Sequence, residues 1–587
     1  MTLLPDIKRA PRAKLSWLLA LTLAAGVLNE NDTSAQTADR SNAPSATSAT
    51  SAANAGAELQ RRQDQETEAQ RARAAERPDV FTPPATTKAP SGLQFPEEKP
   101  CFAIRAVTWQ DPQPPEWLAE AATQAVDRCV GGRGLQALQK DLQARLIDHG
   151  YVTSRVLVPE QSLAAGTLTL RYIPGTIAKV QSEGMPGWWR MALPSGPGSA
   201  LDQRDLDQAL ENIRRLAGQA DAKIDLVPGA ALGETDLVLH PGSGKRWHAY
   251  VGGDNAGLDS TGKNQVNATL VLDSPLFLYD QLSVAWNSNA DMKNDDAGAR
   301  SSSISYSIPF GYWTLFADAS KSTYRQTVAG FDEPILYKGT SKQIDGGISV
   351  VPYRGTDYKG TVTAKMFRKW SSNSIDDIDI DVQHRDVVGY ELNLSHRQYI
   401  GSAALDAGGG VRSTLPGMSN QPGVVIGDPD WNGRSTVLLA NLGVYLPFQL
   451  AGQRLAYQAG WQWQHAKTPL VPSDYFTIGN RYSVRGFDGQ MTLSAESGWS
   501  WRNDLSLALG DSGQQLYAGI DAGRVSGPAA QFLAGQTLVG AVVGVRGRVA
   551  VPYVAANYDL SAGWPLKKPD ALKTDSPTIA FSVLFEF

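Results

Sequence analysis

Cysteine and histidine are scarce, at 2 and 6 in 587 residues, and no two histidines stand four apart. That leaves too few nitrogen and sulfur donors, too far apart, for a zinc or iron–sulfur centre. Charge is sparse as well: 19% of residues are Asp, Glu, Lys or Arg, and 54 basic against 59 acidic residues give a net charge of −5. Nothing in that balance attracts a polyanion, so nucleic acid is not an expected partner. Beyond the N-terminus there is no long apolar run, and mean hydropathy is −0.27, which excludes a bundle of membrane helices. Catalytic signatures are missing too. Pro-Gly-Ser-Gly-Lys-Arg, ending at Lys245 and Arg246, lacks the first Gly and the final Ser or Thr of a phosphate loop. Gly408, Gly409 and Gly410 precede no helical pattern, and no Ser or Cys nucleophile arrangement accompanies the scattered histidines. The chain reads as neither an enzyme nor a cofactor carrier.

What is abundant is glycine and aromatic surface: 56 Gly, 15 Trp, 19 Tyr and 15 Phe, a β-rich composition. At the N-terminus Lys8, Arg9, Arg12 and Lys14 precede an apolar run from Leu15 to Leu28, with small residues at Ser34 and Ala35. This is the layout of a secretory signal peptide, 1–35; a membrane anchor is the alternative, but a span takes roughly 20 apolar residues. The exported chain is then soluble or enters a membrane as a closed barrel, since only helices and barrels satisfy every backbone group in lipid. From 36 to 55 the Ser, Ala, Thr and Asn composition predicts disorder. A helix over 57–77 has charges all round and no apolar stripe, which suits a water-filled enclosure better than a core. Pro78, Pro83, Pro84, Pro90, Pro96 and Pro100 then predict an extended linker up to residue 100.

Folded sequence is expected from Cys101. A strand (101–108), a helix from Pro114 and Pro115 to near Cys129, a helix over 135–149 and strands at 152–158 and 167–173 make a β-α-α-β-β module, 101–175. Leu135, Leu138, Leu142 and Leu146 share one helix face, and Gly150 stops that helix. A second module, 176–243, repeats the order with a helix at 206–216 and strands near Ile224 and Leu237. In an exported chain Cys101 and Cys129 are expected to form a disulfide contributing roughly 3 kcal/mol, with two buried thiols as the alternative.

From 244 to 587 the texture changes to segments of about ten residues alternating apolar with small or polar, punctuated by Gly, Asn, Asp and Pro. Leu455, Tyr457, Ala459, Trp461 and Trp463 oppose Gln458, Gln462 and Gln464; Val554, Ala556, Tyr558, Leu560, Ala562 and Trp564 oppose Asn557 and Asp559. A soluble sandwich also alternates, but with shorter strands and a polar face richer in Lys and Glu. The length suits roughly sixteen membrane strands with their connections. Phe581, Val583, Phe585 and Phe587 alternate up to a C-terminal aromatic, which resembles the assembly signal of bacterial outer-membrane barrels.

Val484, Arg485, Gly486 and Phe487 lie in a turn-rich stretch. Later Leu516, Ala518, Ile520 and Ala522 share one face of LYAGIDAGR, so Asp521 faces the other way with Tyr517, Gly519 and Gly523. If the apolar face meets lipid, Asp521 points into a lumen, where a carboxylate needs a cation; Arg485 is the candidate, and the alternative is that both charges are merely hydrated. Together with YVTSRVLVPEQSL (151–163), VGGDNAG (251–257) and SYSIPFGYW (305–313), these features make the chain resemble the two-partner secretion transporters, TpsB proteins of the ShlB, FhaC and CdiB type. The resemblance covers essentially the whole mature chain. It implies a sixteen-stranded all-β transmembrane barrel, two periplasmic α/β POTRA domains, and a plug helix at 57–77. It also implies that the VRGF loop folds into the lumen, where Arg485 locks onto Asp521 of the Gly519–Asp521–Gly523 motif. The implied partners are a secreted exoprotein (adhesin, haemolysin or toxin), outer-membrane lipid and the barrel assembly machinery, for a monomer without cofactor or metal. An insertase of the same superfamily and a passive porin are the competing functions.

Overall fold

The computed structural model describes residues 93–294, 296–329, 334–420 and 433–587. The signal peptide, the polar 36–55 segment, the 57–77 helix and the linker as far as 92 lie outside them.

Order begins earlier than Cys101. Leu93 and Phe95 pack onto the core of the first module, whose elements are β1 (Ala106–Gln110), α1 (Glu116–Ala122), α2 (Gly132–Asp148), β2 (Arg155–Leu157) and β3 (Thr167–Ile173). The reason lies at the start of α2, where no neighbouring side chain caps the free amides. Glu98 does so from the linker, accepting from the backbone N–H of Gly131 (2.9 Å), Arg133 (2.9 Å) and Gly134 (2.7 Å). An anion there also meets the positive end of the helix dipole. With that cap the helix starts at Gly132 rather than Leu135, and it stops where Gly150 turns to φ +91.

Leu138, Leu142 and Leu146 of α2 are buried with Leu118, Val156, Leu168 and Leu170, each contributing about 1.5–3 kcal/mol. Leu135 is partly buried beside them. In the sheet β3 is central, parallel to β1 and antiparallel to β2. The first helix does not reach Cys129. After α1 comes one 3-10 turn, and Asp127 at φ 62 redirects the chain so that Cys129–Val130 pairs as a ribbon with Phe102–Ala103. The Cys101–Cys129 disulfide closes that ribbon, with Cα atoms 5.3 Å apart.

The second module has β4 (Thr176–Gln181), α3 (Gln203–Arg214), β5 (Lys223–Pro228) and β6 (Glu234–His240), with β6 central, parallel to β4 and antiparallel to β5. Asp202 caps α3, accepting from Arg204 N–H at 2.9 Å. Leu206, Ala209 and Ile213 face Leu237 and Leu239 in its core.

Among the described residues, sixteen strands from Trp247–Asp254 to Thr578–Glu586 run antiparallel and close, last against first. No described helix is long and apolar enough to cross a membrane. The pleat sorts residues as alternation predicts: Leu516 and Ile520 are 47% and 57% exposed on the outer wall, and Asp521 is 0% exposed inside. Strand length departs from the expected ten residues. Trp313–Ala329, Pro334–Arg354 and Tyr358–Ile375 have 17, 21 and 18 residues. A bilayer needs only about 9–11, so these hairpins continue as ribbon beyond the lipid.

Candidate functional site

The connection from the strand Gln453–Ala466 to the strand Ser497–Ala508 folds into the barrel. A short ribbon, Phe476–Ile478 against Leu493–Ala495, stiffens its stem. Between its arms Val484 and Phe487 are buried with Ile478, Leu493, Val525, Leu538 and Leu572. Gly486 sits at φ +95, and a Cβ there would lie 2.6 Å from the backbone oxygen of Trp564 in the wall, so turn and close approach both require glycine.

These contacts aim Arg485 at the wall. Its Nε donates to Asp521 Oδ2 (2.6 Å), and its Nη2 to Asp521 Oδ1 (2.9 Å) and Asp504 Oδ1 (2.6 Å); its backbone N–H also donates to Asp521 Oδ2 (3.0 Å). Arg546 lies 3.6 Å from Asp504, and Arg502, whose Nη1 donates to the loop at Tyr482 O (3.4 Å), is a third cation beside the two carboxylates. The fork matches a bidentate carboxylate, the strong geometry for a charge-assisted bond. Gly519 and Gly523 flank Asp521 because a Cβ at Gly519 would lie 2.1 Å from the Asn503 backbone oxygen, and one at Gly523 would lie 2.9 Å from both Ile478 Cγ2 and Val484 Cγ2.

The network also mends the wall. Pairing between Ser497–Ala508 and Gln514–Ser526 runs to Trp501↔Ala522 and resumes at Leu505↔Ala518. Across the interval Asn503 N–H donates to Asp521 Oδ1 (3.1 Å), and Asn503 C=O accepts from Arg485 Nη2 (3.2 Å). Loop and wall thus share hydrogen bonds that a ladder ordinarily makes alone.

The sequence reading missed Asp504, Asn503, Arg546 and Arg481. Asp504 had a signal, since it alternates with Trp501, Asn503 and Leu505 and so must face inward. Arg481 had none. Its Nη2 donates to Asn255 Oδ1 (2.6 Å), while Asn255 Nδ2 donates to the oxygen of Ile579 (2.8 Å) and Asn255 Oδ1 accepts from Phe581 N–H (2.9 Å). The loop therefore also touches the seam where the last strand meets the first. Phe581, Phe585 and Phe587 are exposed on the outer face of that last strand.

At the opposite end the second module is fastened to the barrel turns. Asn212 Nδ2 donates to the backbone oxygen of Gly311 (2.7 Å), and Tyr312 Oη donates to Asp205 (2.6 Å). Glu211 pairs with Lys359 (2.7 Å) and Arg354 (3.3 Å), and Arg354 donates to Gln208 (2.6 Å). Tyr279, from a barrel turn, is fully buried in the module's apolar core. Burial holds the Asp205 carboxyl above its usual range even though Tyr312 donates to it. Among the edge strands of the two module sheets are β2, with exposed Leu157 and its Val156 oxygen accepting from Gln139 Nε2 (2.8 Å), and β5, with exposed Leu226 and Val227.

Residues 233–547 match the family described as haemolysin secretion/activation protein ShlB/FhaC/HecB; residues 102–175 match a POTRA domain of the ShlB type and 176–228 a POTRA domain. The outer membrane transporter CdiB-2 of Burkholderia pseudomallei (strain 1026b) is 34% identical over 508 residues, 86% of this chain and 84% of that protein. The hemolysin transporter protein ShlB of Serratia marcescens is 27% identical over 447 residues, 74% of this chain and 78% of that protein. Among solved structures, CdiB from Acinetobacter baumannii superposes with a TM-score of 0.77 at 26% identity, covering 90% of this chain and 99% of that one.

Proposed function

The chain belongs to the haemolysin secretion/activation family ShlB/FhaC/HecB, and from that premise we propose how its modules and lumenal loop divide the work of transport. It is an outer-membrane transporter of a two-partner secretion system, with its POTRA domains in the periplasm and a cognate secreted exoprotein as partner. The modules capture the unfolded exoprotein by adding its extended segments to sheet edges, β5 foremost, where main-chain hydrogen bonds give affinity and exposed Leu226 and Val227 give apolar contact. Arg485 and Asp521 lock the loop, and Phe585 and Phe587 mark the last strand for the assembly machinery. Lipid surrounds a monomeric barrel. No nucleotide is required: a client that buries its core outside does not readily return.

The observation that carries this reading is the burial of the chain's own loop in the bore through the charge network around Arg485. Removing one partner of a buried pair costs roughly 3–5 kcal/mol and strands the other charge. Arg485→Ala is expected to leave barrel in the membrane while lowering secretion of the cognate exoprotein by at least about tenfold. Barrel abundance and secreted client are measured together. Normal secretion at normal abundance removes the lock.

A further inference from the structure

On the outer wall the residues opposite one another can be read row by row. Val284, Ile304, Ala319 and Ile344 form one apolar row, and the next row away from the periplasmic turns is Trp286, Ser302, Lys321, Lys342 and Trp370. Lys321 and Lys342 are direct cross-strand partners, and both are exposed. Like charges directly opposite destabilise a sheet pair, their Cβ atoms standing about 5 Å apart. Among the described residues neither lysine makes an ion pair, whereas Arg368 nearby is held by Asp386 at 2.7 Å and lies 4.8 Å over Trp370. The two lysines border a hollow of about 790 Å³ in which Ser302, Thr340 and Ser372 share the lysines' face of the wall with the small Ala319.

Depth assigns the hollow to a leaflet. Lys321 is eight residues along its strand from Trp313, which sits at the periplasmic turn contacted by the second module. At about 3.4 Å per residue and a tilt of about 40° that is about 21 Å up the barrel, the far edge of an apolar band about 25 Å tall. Cations at that level face the headgroups of the outer leaflet.

We propose that Lys321 and Lys342 bind the phosphate of a phosphorylated glycolipid of the outer leaflet, with the sugar in the hollow beside the hydroxyls of Ser302, Thr340 and Ser372 and the acyl chains along Val284, Ile304 and Ile344. One shared anion removes the repulsion between the lysines, and Trp286 and Trp370 bracket the headgroup at the interface, where such rings belong. The proposal rests on the outer-membrane placement of the barrel.

The test is native mass spectrometry of the delipidated full chain in detergent, titrated with diphosphoryl lipid A. Wild type is expected to retain the lipid, and Lys321→Gln with Lys342→Gln to retain it about thirtyfold more weakly. The double Arg variant restores retention, and dephosphorylated lipid A is not retained by any form. Heat-dependent gel mobility shows that each variant is a folded barrel. Equal retention by wild type and the Gln variant overturns the site, and so does displacement of lipid A by equimolar inorganic phosphate, which marks a free-anion site. A chain that is monodisperse without detergent fails earlier, on the placement itself.

Discussion

Arg485 shows how little of a buried ion pair a sequence contains. Alternation along 516–524 settles that Asp521 faces inward, because a strand has period two. It cannot settle that Asp504 and Arg546 complete the charge balance, since their meeting depends on the loop's path through the bore. Glu98 is a similar case: a charge in a Pro-rich stretch reads as solvated, yet it caps a helix more than thirty positions later in the chain. The N–H of Arg133 chiefly, helped by those of Gly134 and Gly131, holds its carboxyl below the ordinary value of 4.5. A lowered folded value means that the capping contribution is complete above pH 4.5 and fades as pH falls toward the folded value. Hydrogen-exchange protection factors of the Gly131, Arg133 and Gly134 amides are therefore expected to drop below pH 4.5, and Glu98→Gln to abolish that pH dependence.

At the scale of elements, helix α3 carries two faces, one apolar and one polar. Leu206, Ala209 and Ile213 show the apolar stripe that any amphipathic helix shows. Gln208, Glu211, Asn212 and Arg215 form a second, polar stripe at spacings of three and four, and all of it meets the barrel. Polar residues on a helix are ordinarily assigned to solvent, which is why the docking face escaped notice. Asn212 gives hydrogen bonds to Ala192 and to Gly311, one inside its module and one across to the barrel. Asn212→Ala leaves both carbonyls without a donor, a loss of about 1–3 kcal/mol. Faster protease cutting between residues 240 and 247 in the membrane-embedded protein is the expected reading, with the barrel's own heat resistance unchanged. Helix α2 was legible from its leucine spacing, but its start and the end of α1 were not, because Glu98 and Asp127 set those ends from outside any periodic pattern.

For the molecule as a whole, the barrel was the most legible part, because the same alternation recurs strand after strand and each repeat supports the others. Closure was legible only as an inference from strand number. The seam itself is short: five residue pairs, Ser582↔Asp254 to Glu586↔Tyr250. Asn255 prolongs it with its side chain and hands it to Arg481 of the lumenal loop. Loss of these bonds in Asn255→Ala is expected to cost about 1–3 kcal/mol and to lower the temperature at which gel mobility shifts from folded to unfolded barrel. An unchanged transition assigns closure to the five pairs alone.

Tyr279 belongs to a barrel hairpin, yet its ring is a full member of the second module's interior. Until that hairpin arrives, the module has a ring-sized vacancy at its centre and a socket with no pin. The second module therefore reaches its final packing only together with that hairpin, which makes one strand connection of the wall a part of its interior.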